Sequence, residues 1–145
     1  MDTTNPTLAP AAQRTLERWH EGVAAADVSR LPEILHPDAV FRSPMAHTPY
    51  EGAAAVHLIL STVITIFEDF TYHREFVSED GRSVALEFSA RVGDRSLKGV
   101  DLIEIDDEGL ITDFEVMIRP RSGLQVLGER MAEKLAQHVP RHPAG

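Results

Sequence analysis

Hydrophobic residues recur every three or four positions in three parts of the chain, which is the spacing that gives a helix one apolar face. These segments are residues 10–26, 52–67 and 121–138. The middle segment is apolar on most sides and predicts a buried helix, although its end is rich in β-branched residues. A further, shorter helix is predicted to end at Leu35, and a short strand follows over residues 39–42.

The second half of the chain alternates apolar and polar residues instead, which is typical of strands with one buried face. Four such strands are predicted, over residues 70–77, 83–92, 96–105 and 110–119. Stretches rich in glycine and acidic residues separate them and indicate hairpin turns. Helices followed by an antiparallel meander predict an α+β fold, with a curved antiparallel sheet wrapped around three helices and a C-terminal helix after the last strand. A sheet that curls away from its helices leaves room for an apolar pocket.

The third predicted strand places a carboxylate on its more apolar face. Alternation sets Leu97, Asp101 and Ile103 together, opposite Lys98 and Glu104. A lone carboxylate among apolar side chains is costly unless it is paired, hydrogen-bonded or protonated, and such groups concentrate at functional sites. Asp101 is therefore the leading candidate for ligand contact or acid–base chemistry. The alternative is a shifted register, or a role for Asp101 in capping another element.

Composition and charge restrict the classes of function. The 145 residues carry a formal net charge of −9, which argues against nucleic acid or an anionic membrane as a partner. The chain has no cysteine, and no apolar run approaches the ~20 residues of a membrane span. Signal-peptide features, phosphate-binding loops and histidine pairs within a regular element are missing as well. We expect one cytoplasmic domain over residues 1–145 without cofactor or metal, with flexible ends at about residues 1–9 and 139–145.

Two runs of residues resemble the SnoaL-like branch of the NTF2-like superfamily and, within it, the ketosteroid isomerases. The first is W-x7-D-x8-H-P-D-A-V-F-R-S-P, beginning at Trp19, and the second is GVDLIEIDDEGLITDFEV, beginning at Gly99. Gly52, which opens the long helix, and the order of the elements agree with this resemblance. The resemblance covers roughly residues 14–118. It implies an NTF2-like (cystatin-like) cone with a deep apolar pocket, and a homodimer formed through the outer face of the sheet.

The catalytic residues of the isomerases are mostly replaced in this chain. The resemblance places Trp19 where the isomerases have a tyrosine oxyanion donor, Ser43 where they have the aspartate base, and Leu60 where they have a second tyrosine. The aspartate of the third strand is retained, as Asp101. A serine without an activating partner does not shuttle protons as a carboxylate does, so steroid isomerisation by that mechanism is not expected. Because an indole N–H only donates, we expect Trp19 to hydrogen-bond Asp101.

Two other activities of the superfamily depend on residues in the same pocket. The Asp-Arg-Asp set of the limonene epoxide hydrolases is missing, because Phe88, Ala90 and Val116 stand at the matching positions. Polyketide cyclases of the SnoaL type use an acid–base aspartate in the pocket, and Asp101 is a possible counterpart of that residue. The resemblance therefore leaves Asp101 as the candidate catalytic residue.

The strand faces and the resemblance together predict which residues contact a ligand. They are Trp19, Phe41, Leu60, Phe67, Val84, Leu86, Phe88, Ile103, Phe114 and Val116, with Ser43, His47 and Tyr50 at the pocket rim. We expect a small, largely apolar or amphipathic ligand with one polar group aimed at Asp101. The first alternative is a cofactor-independent isomerase, cyclase or dehydratase that uses Asp101 as its acid–base group. The second is a dimerisation module whose cavity is vestigial.

Overall fold

A six-stranded sheet curves around the helices of this chain. The computed structural model describes residues 7–137. The helices are α1 (Pro10–Ala25), α2 (Ala53–Val63) and α3 (Arg121–Leu135), with a 3-10 turn over Leu31–Ile34. The strands are β1 (Leu35–Arg42), β2 (Tyr50–Glu51), β3 (Glu68–Val77), β4 (Ser83–Val92), β5 (Arg95–Ile105) and β6 (Ile111–Arg119). Their order across the sheet is β2-β1-β6-β5-β4-β3, so the predicted α+β class is confirmed.

The four long strands form the predicted antiparallel meander. β4 has the predicted bounds, and β3, β5 and β6 begin within two residues of the predicted positions. Turns with glycine at positive φ join these strands at Gly81, Gly93 and Gly109. A residue with a side chain rarely adopts that conformation, so the hairpin positions could be read from the sequence.

The predicted curved sheet is antiparallel except where β1 pairs in parallel with β6. β1 also begins at Leu35 and is longer than the predicted strand. Its register with β6 shifts between Leu35 and Val40, and Pro37 lies inside this irregularity. Proline has no N–H for a ladder hydrogen bond and is tolerated in a strand at such a bulge. The pairing joins segments about 70 residues apart, which local patterns do not report.

Helix α2 ends at Val63, before the predicted end at residue 67. The next residues form turns in which the N–H groups of Ile66 and Phe67 both bond to the Val63 carbonyl. The Thr62 hydroxyl also donates to the Leu58 carbonyl at 2.7 Å. Side-chain bonds of this kind and β-branched residues weaken the end of a helix, which explains the early stop.

The inner face of β5 is the one that alternation predicts. Asp101 and Ile103 are buried, whereas Lys98 and Glu104 on the other face are exposed. The core therefore lies between this face of the sheet and the helices, and Asp101 is inside it.

Just before α1, the Ala9 N–H donates to the Gly81 carbonyl at 2.9 Å. The rest of the predicted flexible ends, and the last residue of the predicted helix 121–138, lie outside the described residues. No helix within residues 7–137 combines the length and apolarity needed to cross a membrane.

Candidate functional site

A cavity of about 460 Å³ lies between the inner face of the sheet and the three helices. Most of its wall is hydrocarbon, contributed by β1, β4, β6 and one face of each helix. Phe88 and Phe114, each 1% exposed, are its most deeply buried lining residues, and Trp19, 5% exposed, is buried in the same wall. The ring of Phe88 lies over Gly99, where an added methyl group would approach the Phe88 Cζ to 2.5 Å. The volume and lining are those of a site for a small organic molecule.

Asp101 brings a carboxyl group to this deep wall, and Tyr72 of β3 holds it in place. The Tyr72 hydroxyl donates to Asp101 Oδ2 at 2.6 Å, and the Trp19 Nε1–H donates to the Tyr72 oxygen at 2.9 Å. The expected direct bond from Trp19 to Asp101 is therefore wrong, because the Tyr72 hydroxyl lies between the two groups. Tyr72 is aligned with Phe88 of β4, which in turn pairs with Gly99 of β5. From that position its side chain reaches across to Asp101.

Burial controls the ionisation of both groups. Removal from water raises the pKa of Asp101 from its ordinary 3.8 to about 7, and the hydrogen bond from Tyr72 acts in the opposite direction. The pKa of Tyr72 stands well above its ordinary value, because burial, the charge of Asp101 and the bond to Asp101 all disfavour the phenolate. Tyr72 therefore keeps its proton at neutral pH. Asp101 is divided between acid and carboxylate in the same range.

The direction of the hydrogen bonds decides which Asp101 oxygen carries a proton. An indole N–H is only a donor, so Tyr72 must accept from Trp19 and give its single proton to Asp101 Oδ2. When Asp101 is protonated, this arrangement favours the proton on Oδ1, because the carbonyl oxygen of a carboxylic acid is the stronger acceptor for the Tyr72 hydroxyl. Within residues 7–137 every fully buried side-chain N or O atom has a hydrogen-bond partner, and Oδ1 makes no such bond there. Asp101 itself lines the cavity.

Most of the predicted pocket residues lie on the cavity wall. They are Trp19, Phe41, Ser43, Tyr50, Leu60, Phe67, Phe88, Asp101, Phe114 and Val116. The Ser43 hydroxyl oxygen also accepts a hydrogen bond from the Met45 N–H at 2.9 Å. This bond stabilises the loop between β1 and β2. Contact between these residues and a ligand stays a prediction.

Four predicted residues do not line the cavity. Val84, Leu86 and Ile103 face inward as expected, but they are at most 3% exposed and pack into the core cluster that also contains Leu16 of α1. Alternation gives the face of a strand but not the point along it where a helix covers that face. His47 is exposed and away from the wall.

The sequence reading missed Tyr72 and the contribution of α3. Phe70 and Tyr72 alternate on β3, which was the available signal for an inward tyrosine. Helix α3 lines the cavity through Leu127, Gly128, Met131, Ala132 and Leu135. Its apolar face was predicted from helical spacing, but spacing alone does not say what that face covers.

Within residues 7–137, no group of three histidine, aspartate or glutamate side chains is close enough together to hold a metal ion. The chemistry that the site can perform with its own residues is hydrogen bonding and proton transfer at Asp101.

Comparison with known proteins agrees with this architecture. The SnoaL-like domain family matches residues 16–114. No curated protein matches the chain. A structure described as a steroid delta-isomerase from Pseudomonas aeruginosa is 60% identical, covers 95% of this chain and 100% of its own, and superimposes with a TM-score of 0.90.

Two further structures share the fold. A protein with a cystatin-like fold from Silicibacter pomeroyi DSS-3 is 33% identical over 87% of this chain and 88% of its own, with a TM-score of 0.80. An NTF2-like protein of unknown function from Mesorhizobium loti is 20% identical over 79% of this chain and 99% of its own, with a TM-score of 0.68. The family match and these similarities together establish that the chain is a member of the SnoaL-like family with the NTF2-like fold.

Proposed function

We propose that this protein binds a small, largely apolar molecule whose polar group is a hydrogen-bond acceptor, such as a ketone oxygen, placed against Asp101. The observation that carries the proposal is a carboxyl group, 5% exposed, that lines an apolar cavity of about 460 Å³ and whose Oδ1 makes no hydrogen bond within residues 7–137. Hydrocarbon walls supply affinity by burying apolar surface, and one polar group sets the orientation of the ligand. A dimerisation module with a vestigial cavity would have a filled core, which does not fit this volume.

The acceptor character of the ligand follows from the order of the hydrogen bonds. Trp19 and Tyr72 direct their protons toward Asp101, so a proton bound by Asp101 points into the cavity from Oδ1. An apolar ligand that displaces water disfavours the charged form of the carboxyl group. The neutral acid then donates to the ligand, and the carboxylate does not.

A titration with prodan, a fluorescent naphthalene that carries one ketone, tests this proposal. The wild-type protein should bind prodan with a blue shift of its emission, and the dissociation constant should rise about tenfold per pH unit above the pKa of Asp101. In Asp101→Asn the amide oxygen accepts from Tyr72 and the amide nitrogen donates from the position of Oδ1. That variant should keep its affinity up to about pH 9, well below the range in which amides ionise.

The control is Asp101→Leu, whose side chain branches at the same atom but has no donor, and which should bind prodan weakly at every pH. If the wild type binds equally tightly on both sides of the Asp101 pKa, the acceptor assignment is wrong. If the wild type binds no prodan at all, the proposal for this class of ligand is wrong.

A second candidate function is a cofactor-independent isomerase that moves a proton along a small ketone. Two observations favour it: a carboxyl group with a pKa of about 7, and 60% identity to a structure described as a steroid delta-isomerase. In this reaction Asp101 Oδ1 takes a proton from a carbon next to the carbonyl. The electrons of that C–H bond pass to the carbonyl oxygen, and Asp101 returns the proton to the far carbon of the neighbouring double bond. Ser43 also lines the cavity, and its hydroxyl hydrogen, which the bond from the Met45 N–H does not use, is the donor that we assign to the oxygen.

The test of this second candidate is conversion of a β,γ-unsaturated 3-ketosteroid to its conjugated isomer, followed by ultraviolet absorbance. Asp101→Asn should abolish turnover while retaining ligand binding, because an amide donates a hydrogen bond but does not abstract a proton. Equal turnover in the two proteins would remove Asp101 from the mechanism.

A further inference from the structure

The mouth of the cavity lies between the loop of residues 43–49, the C-terminal half of α3 and the end of α1. Of the residues that line the cavity, Met45, Ala26 and Ala132 are exposed, and Met45 is 51% exposed. At the other end, Asp101 is only 5% exposed. Met45 therefore has the longest of the exposed side chains that line the cavity.

Met45 reaches across the mouth and rests against Gly128 of α3. A methyl group placed on the Gly128 Cα would lie 2.5 Å from the Met45 Cε and 3.0 Å from its Sδ. The thioether thus occupies the space that any other side chain at position 128 would take. Loop and helix meet at this contact above the cavity.

Gly128 has no conformational reason to be glycine. It lies inside helix α3 and is not among the described glycines with positive φ. Glycine in a helix interior is unfavourable relative to alanine, so its presence needs another explanation. The notch that it provides for Met45 is that explanation.

The loop that carries Met45 is held at both ends. β1 and β2 pair at Phe41 and Tyr50, and the Gly52 N–H donates to the Ala39 carbonyl at 2.8 Å. The Met45 backbone is further bonded to Ser43. An unbranched methionine side chain with three rotatable bonds is then the part of the loop best able to move.

We propose that Met45, seated in the notch at Gly128, is a gate that controls how fast ligands enter and leave the cavity. This inference rests on the proposed function in that the cavity admits a small apolar ligand. Because the gate lies at the mouth and the ligand's polar group lies at Asp101, the gate affects both rate constants and leaves their ratio nearly unchanged.

The first test needs no ligand. Trp19 is the single tryptophan of the chain, and it is buried in the cavity wall, so acrylamide quenching of its fluorescence reports entry through the mouth. Met45→Ala should raise the quenching constant by about twofold or more. Without the Met45 side chain, acrylamide can enter the mouth of the cavity without a prior side-chain movement. The control Met117→Ala changes an equally exposed methionine, 49% accessible, outside the cavity wall and should behave as the wild type. An unchanged quenching constant in Met45→Ala overturns the gate.

The second test measures the exchange of prodan by stopped-flow fluorescence. Met45→Ala should raise the association and dissociation rate constants together by about tenfold, with a dissociation constant within about threefold of the wild type. Gly128→Ala should act in the same direction, since the added methyl group expels Met45 from its notch toward solvent. The double variant should match Met45→Ala alone, because the two changes remove one shared contact.

Two outcomes overturn the gate in this assay. The first is that Met45→Ala leaves both rate constants of prodan unchanged. The second is that it raises the dissociation rate constant but not the association rate constant, because Met45 would then be an ordinary contact in the cavity wall. If the wild-type protein binds no prodan, the proposed function is contradicted. The quenching experiment then tests the gate independently, because it needs no ligand.

Discussion

Replacement of Asp101 by asparagine should stabilise the folded protein at neutral and alkaline pH. Asp101 is 5% exposed, and its charge is opposed by burial rather than supported by a cationic partner. Asparagine has nearly the same shape, still accepts the hydrogen bond from Tyr72, and carries no charge. The substitution therefore isolates the free-energy cost of a buried carboxylate.

The magnitude follows from the two pKa values. The ordinary pKa of the side chain is 3.8 and the folded value is about 7, which at about 1.36 kcal/mol per pKa unit corresponds to about 4 kcal/mol. Between these values the folded protein holds the proton and the unfolded chain has lost it. The free energy of unfolding of the wild type therefore falls as the pH rises through this window, and the loss is complete above about pH 7.

Urea unfolding of the wild type and Asp101→Asn at several pH values measures this effect. The difference between the two free energies of unfolding should grow in favour of the variant by up to about 4 kcal/mol from pH 4 to pH 8. All other titrating groups are common to both proteins and cancel. Asp94→Asn, at a side chain that is 96% exposed and 4.0 Å from Arg95, removes the same charge from the surface and serves as the comparison for an exposed carboxylate. A difference that stays constant with pH, or that turns against Asp101→Asn at high pH, would refute this account of the buried carboxyl group.

Three further substitutions test other parts of the structure. Tyr72→Phe removes the donor to Asp101, so the pKa of Asp101, followed by carboxyl NMR, should rise above that of the wild type. An unchanged or lower value would contradict the hydrogen bond. Gly99→Ala would place a methyl group 2.5 Å from Phe88 Cζ and 2.6 Å from a backbone oxygen of β6, and should cost about 1–3 kcal/mol or more in urea unfolding. If Gly99→Ala were as stable as the wild type, the prediction would be wrong, because β4 and β6 would then be able to move away from the added methyl group. Phe76→Lys puts a charge on the outer sheet face where the phenyl group is 56% exposed, and should shift the expected homodimer toward monomer in sedimentation. An unchanged dimer would exclude an interface that contains Phe76.

Local patterns were sufficient for most of the fold. Strands β3–β6 and helix α1 have bounds within about two residues of the predicted ones, because alternation, helical spacing and turn glycines act over a few neighbouring residues. The inward direction of Asp101 followed from the same alternation. The parallel pairing of β1 with β6 and the early end of α2 did not follow, since each depends on contacts with distant segments or on competing side-chain bonds.

The sequence by itself determined the α+β class, the family and the inward direction of Asp101. The spacing of apolar residues and short sequence motifs are enough to predict these features. Only the tertiary structure decided what surrounds that carboxylate. Tyr72 comes from a strand two positions across the sheet, Trp19 from the first helix, and the Met45–Gly128 contact joins a loop to the last helix. These partners are 29 to 83 residues apart along the chain, and no local pattern encodes which of many inward side chains meet. The curvature of the sheet and the packing of the helices bring them together around one cavity.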